Sequence, residues 1–395
     1  MITNWLRANL KGDRAIWMVV AFLTMFSIAG VYSSIGTLAY RKQAGNTEYY
    51  LLKHSLLMLV GLSCLYFAHK ANYRHFAKWS KIGLVISLPL LLFAVFKGTE
   101  INSASRWFTI PIIGQTVQPS DLAKLSLITY VAAFLSKYQN TLELLRKQIF
   151  WLLAWIVVVC GMIMYSNFST GIMLLGTCGL LMLVGRVPMK LIGSLALLGI
   201  LAGGVMYVWG ERGKTLVSRI EVYMSADDVP FQAEQGFIAI ASGGWIGRGP
   251  GNSQQKDFLP HPYSDFIYAI LVEEYGFFIG GIVPLALYLT LLWRGTIAVR
   301  NSSNAFAGLL SAGLTISLVL QALLNMCVAV GLFPVTGQPL PLVSMGGNSL
   351  IATGLSIGII LAVSRADKPD QEPDGTQRRV AFSNQDADDD DLGED

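Results

Sequence analysis

This 395-residue sequence has few charged residues. Only 14% of its residues are Asp, Glu, Lys or Arg, whereas a soluble globular domain usually carries about 25%. Hydrophobic residues make up 53% of the chain. This combination excludes an ordinary soluble enzyme, a disordered polypeptide and a basic nucleic-acid-binding protein. A protein with many membrane-spanning segments is the class that remains.

Cysteine is also scarce. The four cysteines all lie inside apolar runs, at Cys64, Cys160, Cys178 and Cys327, without a CxxC pair or a His at metal-ligand spacing. We therefore interpret them as small buried hydrophobic residues. A disulfide framework or a zinc site is not expected.

Apolar runs of about 20 residues, long enough to cross a hydrocarbon core, recur along the chain. They predict an all-α polytopic membrane protein with about ten transmembrane helices, at 15–35, 51–68, 80–97, 121–138, 149–165, 169–185, 189–210, 265–293, 304–331 and 341–364. Residues 1–365 then form the membrane domain, with a long extracytoplasmic loop at 211–263 and no obvious regular structure in it. Residues 366–395 carry eleven acids and three bases, which predicts a disordered cytoplasmic tail.

The distribution of Lys and Arg predicts the orientation. With both termini in the cytoplasm, most of the 29 basic residues lie on the cytoplasmic side, as the positive-inside rule requires. Most of the others lie in two extracytoplasmic segments, 98–124 and 211–263. Cations on that face indicate an anionic partner or a buried acid.

The first of these segments ends at the start of the fourth span. Pro119 is excluded from a helix interior, so we expect Ser120 to be the N-cap and Asp121 to lie in the first turn. Lys124 follows three residues later, on the same helix face as Asp121. Two interpretations stay open, a local ion pair or a phosphate site formed by Arg106 and Lys124.

The second segment is rich in glycine. Six glycines lie between Gly236 and Gly251, beside Arg248 and Lys256. No strand signal precedes them and no GxxxxGK[ST] motif is present, so a nucleotide site is not supported. Close glycines permit tight turns and the approach of backbone to a bulky polar ligand. A flexible surface loop is the alternative interpretation.

Acidic residues mark the eighth span. We expect Ser264 to cap it and Asp265 to lie at its outer mouth, a place where an acid needs no function. Glu273 and Glu274 would lie about 12 Å deeper, where a carboxylate usually indicates a cavity, a partner or a protonated state. The helical period places Glu273 near the face of Asp265 and Glu274 opposite.

Polar residues interrupt the last two spans. Gln321 and Asn325, at i and i+4, predict hydrogen bonds between helices. Residues 331–350 then bring several prolines and glycines into the membrane region. Non-helical backbone at that depth is tolerated only where it lines a cavity.

These segments resemble the SEDS family (shape, elongation, division and sporulation), which polymerises peptidoglycan. The resemblance covers about residues 10–365 and rests on an Arg-Trp pair followed, in order, by QPSDLAKL (118–125), AIASGGWIGRGPGNSQQ (239–255), SDFIYAILVEEYG (264–276) and PVTGQPLPLVSMGGNSL (334–350). It implies a lipid II polymerase of the cell-division branch in the bacterial inner membrane. The implied partners are a class B penicillin-binding protein, which is a transpeptidase, and other division proteins.

The resemblance also implies roles for residues. Asp265, in YSDF, matches the essential carboxylate of the family and is expected to act as the catalytic base. The residues expected to bind the substrate, from the resemblance and the charge pattern, are Arg106, Trp107, Gln118, Ser120, Asp121, Lys124, Arg248, Lys256, Glu273 and Ser344. A divalent cation, Mg²⁺ or Mn²⁺, could share the charge of the lipid diphosphate, although the sequence shows no dedicated metal cage.

The chain departs from the family pattern in three places. His261 stands where the family has the Glu of LPE, Met345 where it has the Tyr of SYGG, and residues 167–171 read NFSTG in place of QPDLG. The last change removes an acid, so no function is assigned to that turn. A lipid II flippase, a non-enzymatic division scaffold and a rod-elongation polymerase are the alternative functions.

Overall fold

The structure is a computed structural model that describes residues 9–36, 38, 46–97, 99–101, 104–109, 116–138, 146–209, 218–219, 221–224, 229–302 and 304–366. Its main helices are α1 (Arg14–Ser34), α2 (Thr47–Lys70), α3 (Tyr73–Lys97), α4 (Pro119–Tyr138), α5 (Arg146–Ser166), α6 (Phe168–Val184), α7 (Met189–Trp209), α8 (Phe231–Gly243), α9 (Ile267–Gly276), α10 (Val283–Asn301), α11 (Ala305–Ala329) and α12 (Gly347–Ala366). A π-helical segment, Phe277–Ile282, joins α9 to α10. The expected tail beyond Ala366 lies outside the described residues.

Helices overlap all ten predicted spans, so the helical, polytopic class is confirmed. In the described part of the chain, seven helical regions are long and apolar enough to cross a membrane, and one of them, Ile267–Asn301, contains the π-helical segment. Two more, α6 and the stretch Met189–Val205 of α7, are apolar but shorter. Membrane crossing by these two and by α4 stays a prediction.

A small antiparallel sheet lies in the loop before α4, where we expected no strand. Its strands β1 (Thr99–Ile101), β2 (Ala104–Thr109) and β3 (Thr116–Val117) have the order β1-β2-β3. Ile101 pairs with Ala104, and Phe108 pairs with Val117. The pairing satisfies backbone N–H and C=O groups that an irregular loop would leave to solvent.

Helix α11 lies at the centre of the bundle, since most of its residues are buried. Around it, α2 and α12 approach closely because glycines face each other. A Cβ on Gly354 would lie 2.2 Å from Gly61 O, so only a glycine fits there. All four cysteines are free, and Cys160 and Cys178 are buried in the core.

The two ends of the bundle are named here after α1, which begins beside Asp13 and ends at Ser34. At the Asp13 end, the Asp13 carboxylate accepts from Ala15 N at 2.9 Å and forms an ion pair with Arg294 of α10. The irregular parts of the chain gather near the Ser34 end. We define two of them as the Asp265 turn (residues 263–266) and the proline segment (residues 331–346).

The eighth predicted span is a helical hairpin, so the prediction of one continuous helix is wrong. Gly276 has a φ of 77° and ends α9. A Cβ on Gly280 would lie 2.0 Å from Leu271 O, whereas nine residues of a straight helix span about 13 Å. Tyr268 Oη also donates to Gly281 O at 3.3 Å. The chain therefore reverses at Gly276, the kind of turn that glycine permits.

The reversal changes the expected depths. Gly30 of α1 faces Ile267 and Leu271, and Ser33 of α1 donates to Glu274, so α9 runs in the same direction as α1. From Ile267 to Glu274 the helix rises about 10 Å. Asp265 therefore lies farther from the Ser34 end than Glu274, the reverse of the depths expected from the sequence.

The proline segment enters the bundle from the Ser34 end. Val343 O accepts from Ser27 Oγ at 2.8 Å, and Ser27 lies about 10 Å along α1 from Ser34. His54 Nε2 is 2.9 Å from the same hydroxyl, and Tyr288 Oη donates to Pro341 O at 2.5 Å. Side chains thus satisfy carbonyls that lack helical partners.

The loop expected at 211–263 contains regular structure. Helix α8 occupies thirteen of its residues, and a 3-10 turn follows at Gln255–Asp257. Gly243 of α8 packs against the backbone of α9, since a Cβ there would lie 2.3 Å from Val272 O. Helix α8 was not predicted because its segment contains glycines, which disfavour a helix. In the structure these glycines allow close packing.

Candidate active site

Asp265 lies where the Asp265 turn meets the proline segment. Its carbonyl oxygen accepts from Asn325 Nδ2 at 2.8 Å, and its Oδ1 accepts from Ser264 Oγ at 2.9 Å. Helix α9 begins only at Ile267 and has no side-chain cap, so the expected capping by Ser264 is wrong. A Cβ on Gly337 would stand 3.5 Å from Asp265 Oδ2. The carboxylate is therefore fixed through its backbone and bordered by a glycine.

Gln321 and Asn325 hold the backbone of the proline segment. Gln321 Nε2 donates to Pro339 O at 2.9 Å, and Asn325 Nδ2 donates to Gln338 O at 2.7 Å. Gln338 Nε2 in turn donates to Thr170 Oγ1 of α6 at 2.7 Å. The expectation of bonds between helices is thus wrong for Asn325, because its amide serves carbonyls of non-helical backbone.

Lys124 lies near the start of α4. Its Nζ is 3.0 Å from Asp121 Oδ1 and 3.4 Å from Gln321 Oε1. The side chains of Lys124 and Asp121 are 15% and 13% exposed, and they line a cleft between α4, α11 and α12. The predicted ion pair between Asp121 and Lys124 is present. The bond from Lys124 to Gln321 joins α4 to α11, so the hydrogen bond between helices that was expected of Gln321 is also present.

The entry into α4 differs from the prediction. The helix begins at Pro119 with Asp121 in its first turn, so Ser120 is not the N-cap. Ser120 is buried, and its hydroxyl accepts from Gln118 Nε2 at 2.8 Å. Asp121 N donates to Gln118 O at 3.1 Å. Gln118 and Ser120 therefore fix the path of the chain into the helix.

One network connects the ammonium to the carboxylate. Lys124 contacts Gln321, which lies one helical turn from Asn325, and Asn325 contacts Asp265. Between these contacts, the two amides bind consecutive carbonyls of the proline segment. Lys124 and Asp265 are thus held by neighbouring positions on one face of α11.

Ser344 joins the two irregular segments. Its Oγ donates to Ser264 O at 2.6 Å and accepts from Leu340 N at 2.7 Å, and the residue is 1% exposed. Met345 N donates to Tyr263 O at 2.9 Å. The Ser344 hydroxyl therefore bonds to protein groups and belongs to the framework beneath Asp265.

Arg106 and Trp107 lie in strand β2, where Trp107 pairs with Thr99 of β1. The side chains of this strand lie outside what the structure describes. Strand β3 ends at Val117, and α4 begins two residues later. The strand that carries Arg106 is thus connected through β3 to the helix that carries Lys124.

The glycine-rich loop packs on the end of α9. Gly247, Gly249 and Gly251 all have positive φ values. Arg248 N donates to Glu273 O at 3.0 Å, and Gly249 N donates to Glu274 O at 2.9 Å. These bonds satisfy carbonyls that the reversal at Gly276 leaves without helical partners. The loop is therefore a cap on the hairpin.

The two cations expected from this loop lie at its surface. Arg248 is exposed, with its Nε 3.4 Å from Ser242 O. Lys256 is partly exposed, and its Nζ donates to Gly251 O at 2.6 Å. Both bonds are to backbone carbonyl oxygens and neither involves a carboxylate.

Glu273 and Glu274 are 0% and 1% exposed. Glu273 accepts four hydrogen bonds from protein groups, and Glu274 accepts from Ser33 and from Ser253 N. Both carboxylates therefore contact the chain at Ser253. Glu273 was expected to bind substrate, but its oxygens bond to the loop around Ser253.

Sequence reasoning missed several residues of the site. Gln338 and Thr170 bridge the proline segment to α6, and Asn167 caps α6 by accepting from Thr170 N at 3.3 Å. The available signal for this bridge was the amide of Gln338, which lies between Gly337 and Pro339 in a largely apolar segment. Asn167 shows that the departure from QPDLG keeps a capping residue even though it removes an acid.

Comparisons with known proteins agree with this architecture. Residues 13–369 match the model of the cell cycle protein family that includes FtsW, RodA and SpoVE. Stage V sporulation protein E of Bacillus subtilis (strain 168) is 31% identical over 366 residues, which cover 89% of this chain and 97% of that protein. A probable peptidoglycan glycosyltransferase FtsW of Geobacter sp. (strain M18) is 31% identical over 360 residues, with 89% and 96% covered.

Solved structures share the fold. A chain of a peptidoglycan synthase complex that coordinates polymerization and crosslinking has a TM-score of 0.70 and 25% identity, over 91% of this chain and 99% of that chain. The rod shape determining protein RodA of Thermus thermophilus has a TM-score of 0.66 and 24% identity, over 93% and 100%. The motifs, the helical bundle and the family match together show that this chain is a multi-pass membrane protein of the FtsW/RodA/SpoVE family, the SEDS family.

Proposed function

We propose that this protein is a peptidoglycan glycosyltransferase that joins lipid II units into β-1,4 glycan strands and releases undecaprenyl diphosphate. The observation that carries the proposal is the network that holds Asp265 and Lys124 on one face of α11. A carboxylate and an ammonium held in this way suit a reaction that removes a proton and produces an anion. Relatives named as peptidoglycan glycosyltransferases support the same activity.

The proposed location is the bacterial inner membrane, with the Ser34 end facing outward. Lys and Arg residues collect at the Asp13 end, which the positive-inside rule assigns to the cytoplasm. Lipid II is presented in the outer leaflet, so a site near the Ser34 end can receive it. The cations at Lys124, Arg248 and Lys256 then lie on the side of the anionic substrate.

In the proposed mechanism Asp265 is the base. Its carboxylate takes the proton from the 4-hydroxyl of the acceptor sugar, whose oxygen attacks C1 of the donor as the bond to the diphosphate breaks. Single displacement inverts the α-linked donor to a β-1,4 bond. Lys124 and Arg106 stabilise the leaving diphosphate, with Arg248 and Lys256 as further cations near its path.

A divalent cation could accompany the diphosphate of the substrate. In the described part of the chain, no group of three or more His, Cys, Asp or Glu side chains could hold a metal ion. Asp121, the acid nearest Lys124, already forms an ion pair with it. Mg²⁺ or Mn²⁺ is therefore proposed to arrive with the lipid.

The proposed partner is a class B penicillin-binding protein that crosslinks the new strands, within the division machinery. One structural neighbour belongs to a complex that coordinates polymerization and crosslinking. Septal synthesis is favoured over rod elongation because the GNSQQ run resembles the division branch. Depletion in cells distinguishes the two: filamentation supports division, and rounding supports elongation.

The deciding experiment is polymerisation of labelled lipid II by the purified protein, with and without its transpeptidase partner. Glycan strands that a muramidase digests would support the proposal. No polymer from an intact complex, with lipid II moved across vesicle membranes, would favour a flippase. Neither activity in an intact complex would favour a scaffold.

A further inference from the structure

Glu273 fixes the start of the loop that carries Asp265. This loop, called here the Ser253 loop (residues 253–266), leaves the glycine-rich turn and returns to α9. Ser253 Oγ donates to Glu273 Oε2 at 2.5 Å, and Gln254 N and Gln255 N donate to the same carboxylate at 2.9 and 3.4 Å. Ser242 Oγ is a fourth donor, at 3.3 Å. A single side chain thus binds three consecutive residues at the beginning of the loop.

The other end of the Ser253 loop runs directly into α9, the helix on which Glu273 lies. Both ends of the loop are therefore attached to one helix, which is the arrangement of a closed Ω-loop. Leu259 and Phe266, both nearly buried, pack with Ile270 inside it. The position of Asp265 is set by this closure together with its bond to Asn325.

Glu273 has no surface left for a substrate. It is 0% exposed, and both carboxylate oxygens accept hydrogen bonds from protein donors. Among the described residues, no Lys or Arg forms an ion pair with it. A buried carboxylate without a cation is costly to retain in a membrane protein, so its hydrogen bonds to the loop need a reason.

We propose that Glu273 is a positioning residue, which closes the Ser253 loop and thereby holds the Asp265 carboxylate in its reactive position. Glu274 assists by accepting from Ser253 N at 3.3 Å. The inference rests on the proposed glycosyltransferase activity, in which Asp265 touches the substrate and Glu273 does not. An amide at position 273 would present a donor to the N–H and O–H groups that the carboxylate now binds.

The test uses the purified protein with its partner and compares Glu273→Gln with Ser253→Ala, which removes the same contact from the loop side. The matched control is Glu234→Gln, an exposed acid on α8. Lipid II polymerisation gives kcat and KM, and amide hydrogen exchange reports on residues 253–266. We expect both test variants to lower kcat about a hundredfold, since a misplacement of about 1 Å can have that effect.

We also expect KM to stay within about threefold and amide exchange to rise in the Ser253 loop, with the control unchanged. Faster exchange with full kcat would overturn the proposal, because the closure would then be merely structural. Loss of kcat without faster exchange would overturn it in favour of direct contact with substrate. If the wild-type complex makes no polymer, the proposed function fails, while amide exchange still shows whether Glu273 closes the loop.

Discussion

The protein has an ion pair near each end, and the two differ in their surroundings. At the Asp13 end, Arg294 binds the Asp13 carboxylate through Nε and Nη2, and Asp13 also caps α1. Near the Ser34 end, Lys124 binds Asp121 but also reaches Gln321 and lines a cleft. The first pair joins the N-cap of α1 to the regular helix α10, and the second adjoins irregular backbone.

This difference shows what the polar side chains of the bundle do. Regular helices form the hydrogen bonds of their own backbone. Packing through small residues is then enough to hold two helices together, as between Gly61 and Gly354. Where the proline segment enters, side chains from α1, α10 and α11 must bind its carbonyls. The Asp13 end therefore contributes stability, and the Ser34 end carries the proposed chemistry.

The largest expected effect is that of Asp265→Asn. The amide keeps the size of the side chain but does not accept a proton, so polymerisation should fall about 10²- to 10⁴-fold. Gel analysis of glycan strands from labelled lipid II measures it, with thermal unfolding as the control for folding. A wild-type rate of polymerisation by Asp265→Asn would contradict the role of Asp265 as the base.

Lys124→Gln is expected to lower kcat/KM about a hundredfold, because it removes a charge that stabilises the leaving diphosphate. The matched variant Lys124→Arg keeps the charge and should recover part of the rate. Steady-state kinetics with lipid II measure both. Equal rates for the Gln and Arg variants would show that the charge of Lys124 is not used.

Asn325→Leu is compared with Ser311→Ala, a change at another buried polar residue of α11. It leaves the carbonyls of Asp265 and Gln338 without their donor, so stability should fall by about 2 kcal/mol and the polymerisation rate about tenfold. Ser311→Ala is the control, since among the described residues the buried Ser311 hydroxyl has no hydrogen-bond partner. Chemical denaturation and lipid II kinetics measure the two effects. Equal behaviour of both variants would contradict the network.

The smallest expected effect on activity is that of Asp13→Asn. Its loss of charge weakens the bonds to Arg294 and should lower stability by about 2 kcal/mol. Polymerisation by the folded protein should stay within about twofold, because Asp13 lies at the opposite end from the site. Thermal unfolding in detergent and lipid II turnover measure the separation. A strong loss of turnover in fully folded protein would contradict this separation, because Asp13 would then affect the site at the opposite end.

The sequence predicted the helical segments because apolar runs of membrane length are a direct consequence of hydrocarbon thickness. It also predicted the Asp121–Lys124 pair, since i, i+3 spacing is local. It did not reveal the reversal at Gly276, because the helical period of Glu273 and Glu274 is the same in a spanning helix and in a hairpin. Tertiary contacts alone determine which one forms.

The framework of the site was equally hidden. Gln338 contacts Thr170, and Ser344 contacts Ser264, across large distances in sequence. Polar residues in apolar segments indicate that partners exist, but their identity depends on how the irregular segments enter the bundle. The resemblance to the SEDS family pointed to Asp265 and Lys124. The structure adds the side chains that hold these two residues.

The Ser34 end carries the proposed chemistry, and the Asp13 end contributes stability. The most direct measurement compares Asp265→Asn and Asp13→Asn in one experiment, with lipid II polymerisation and thermal unfolding recorded on the same preparations. We expect Asp265→Asn to lose polymerisation but keep its unfolding temperature, and Asp13→Asn to keep polymerisation but unfold at a lower temperature. Polymerisation by Asp265→Asn at the wild-type rate would contradict it.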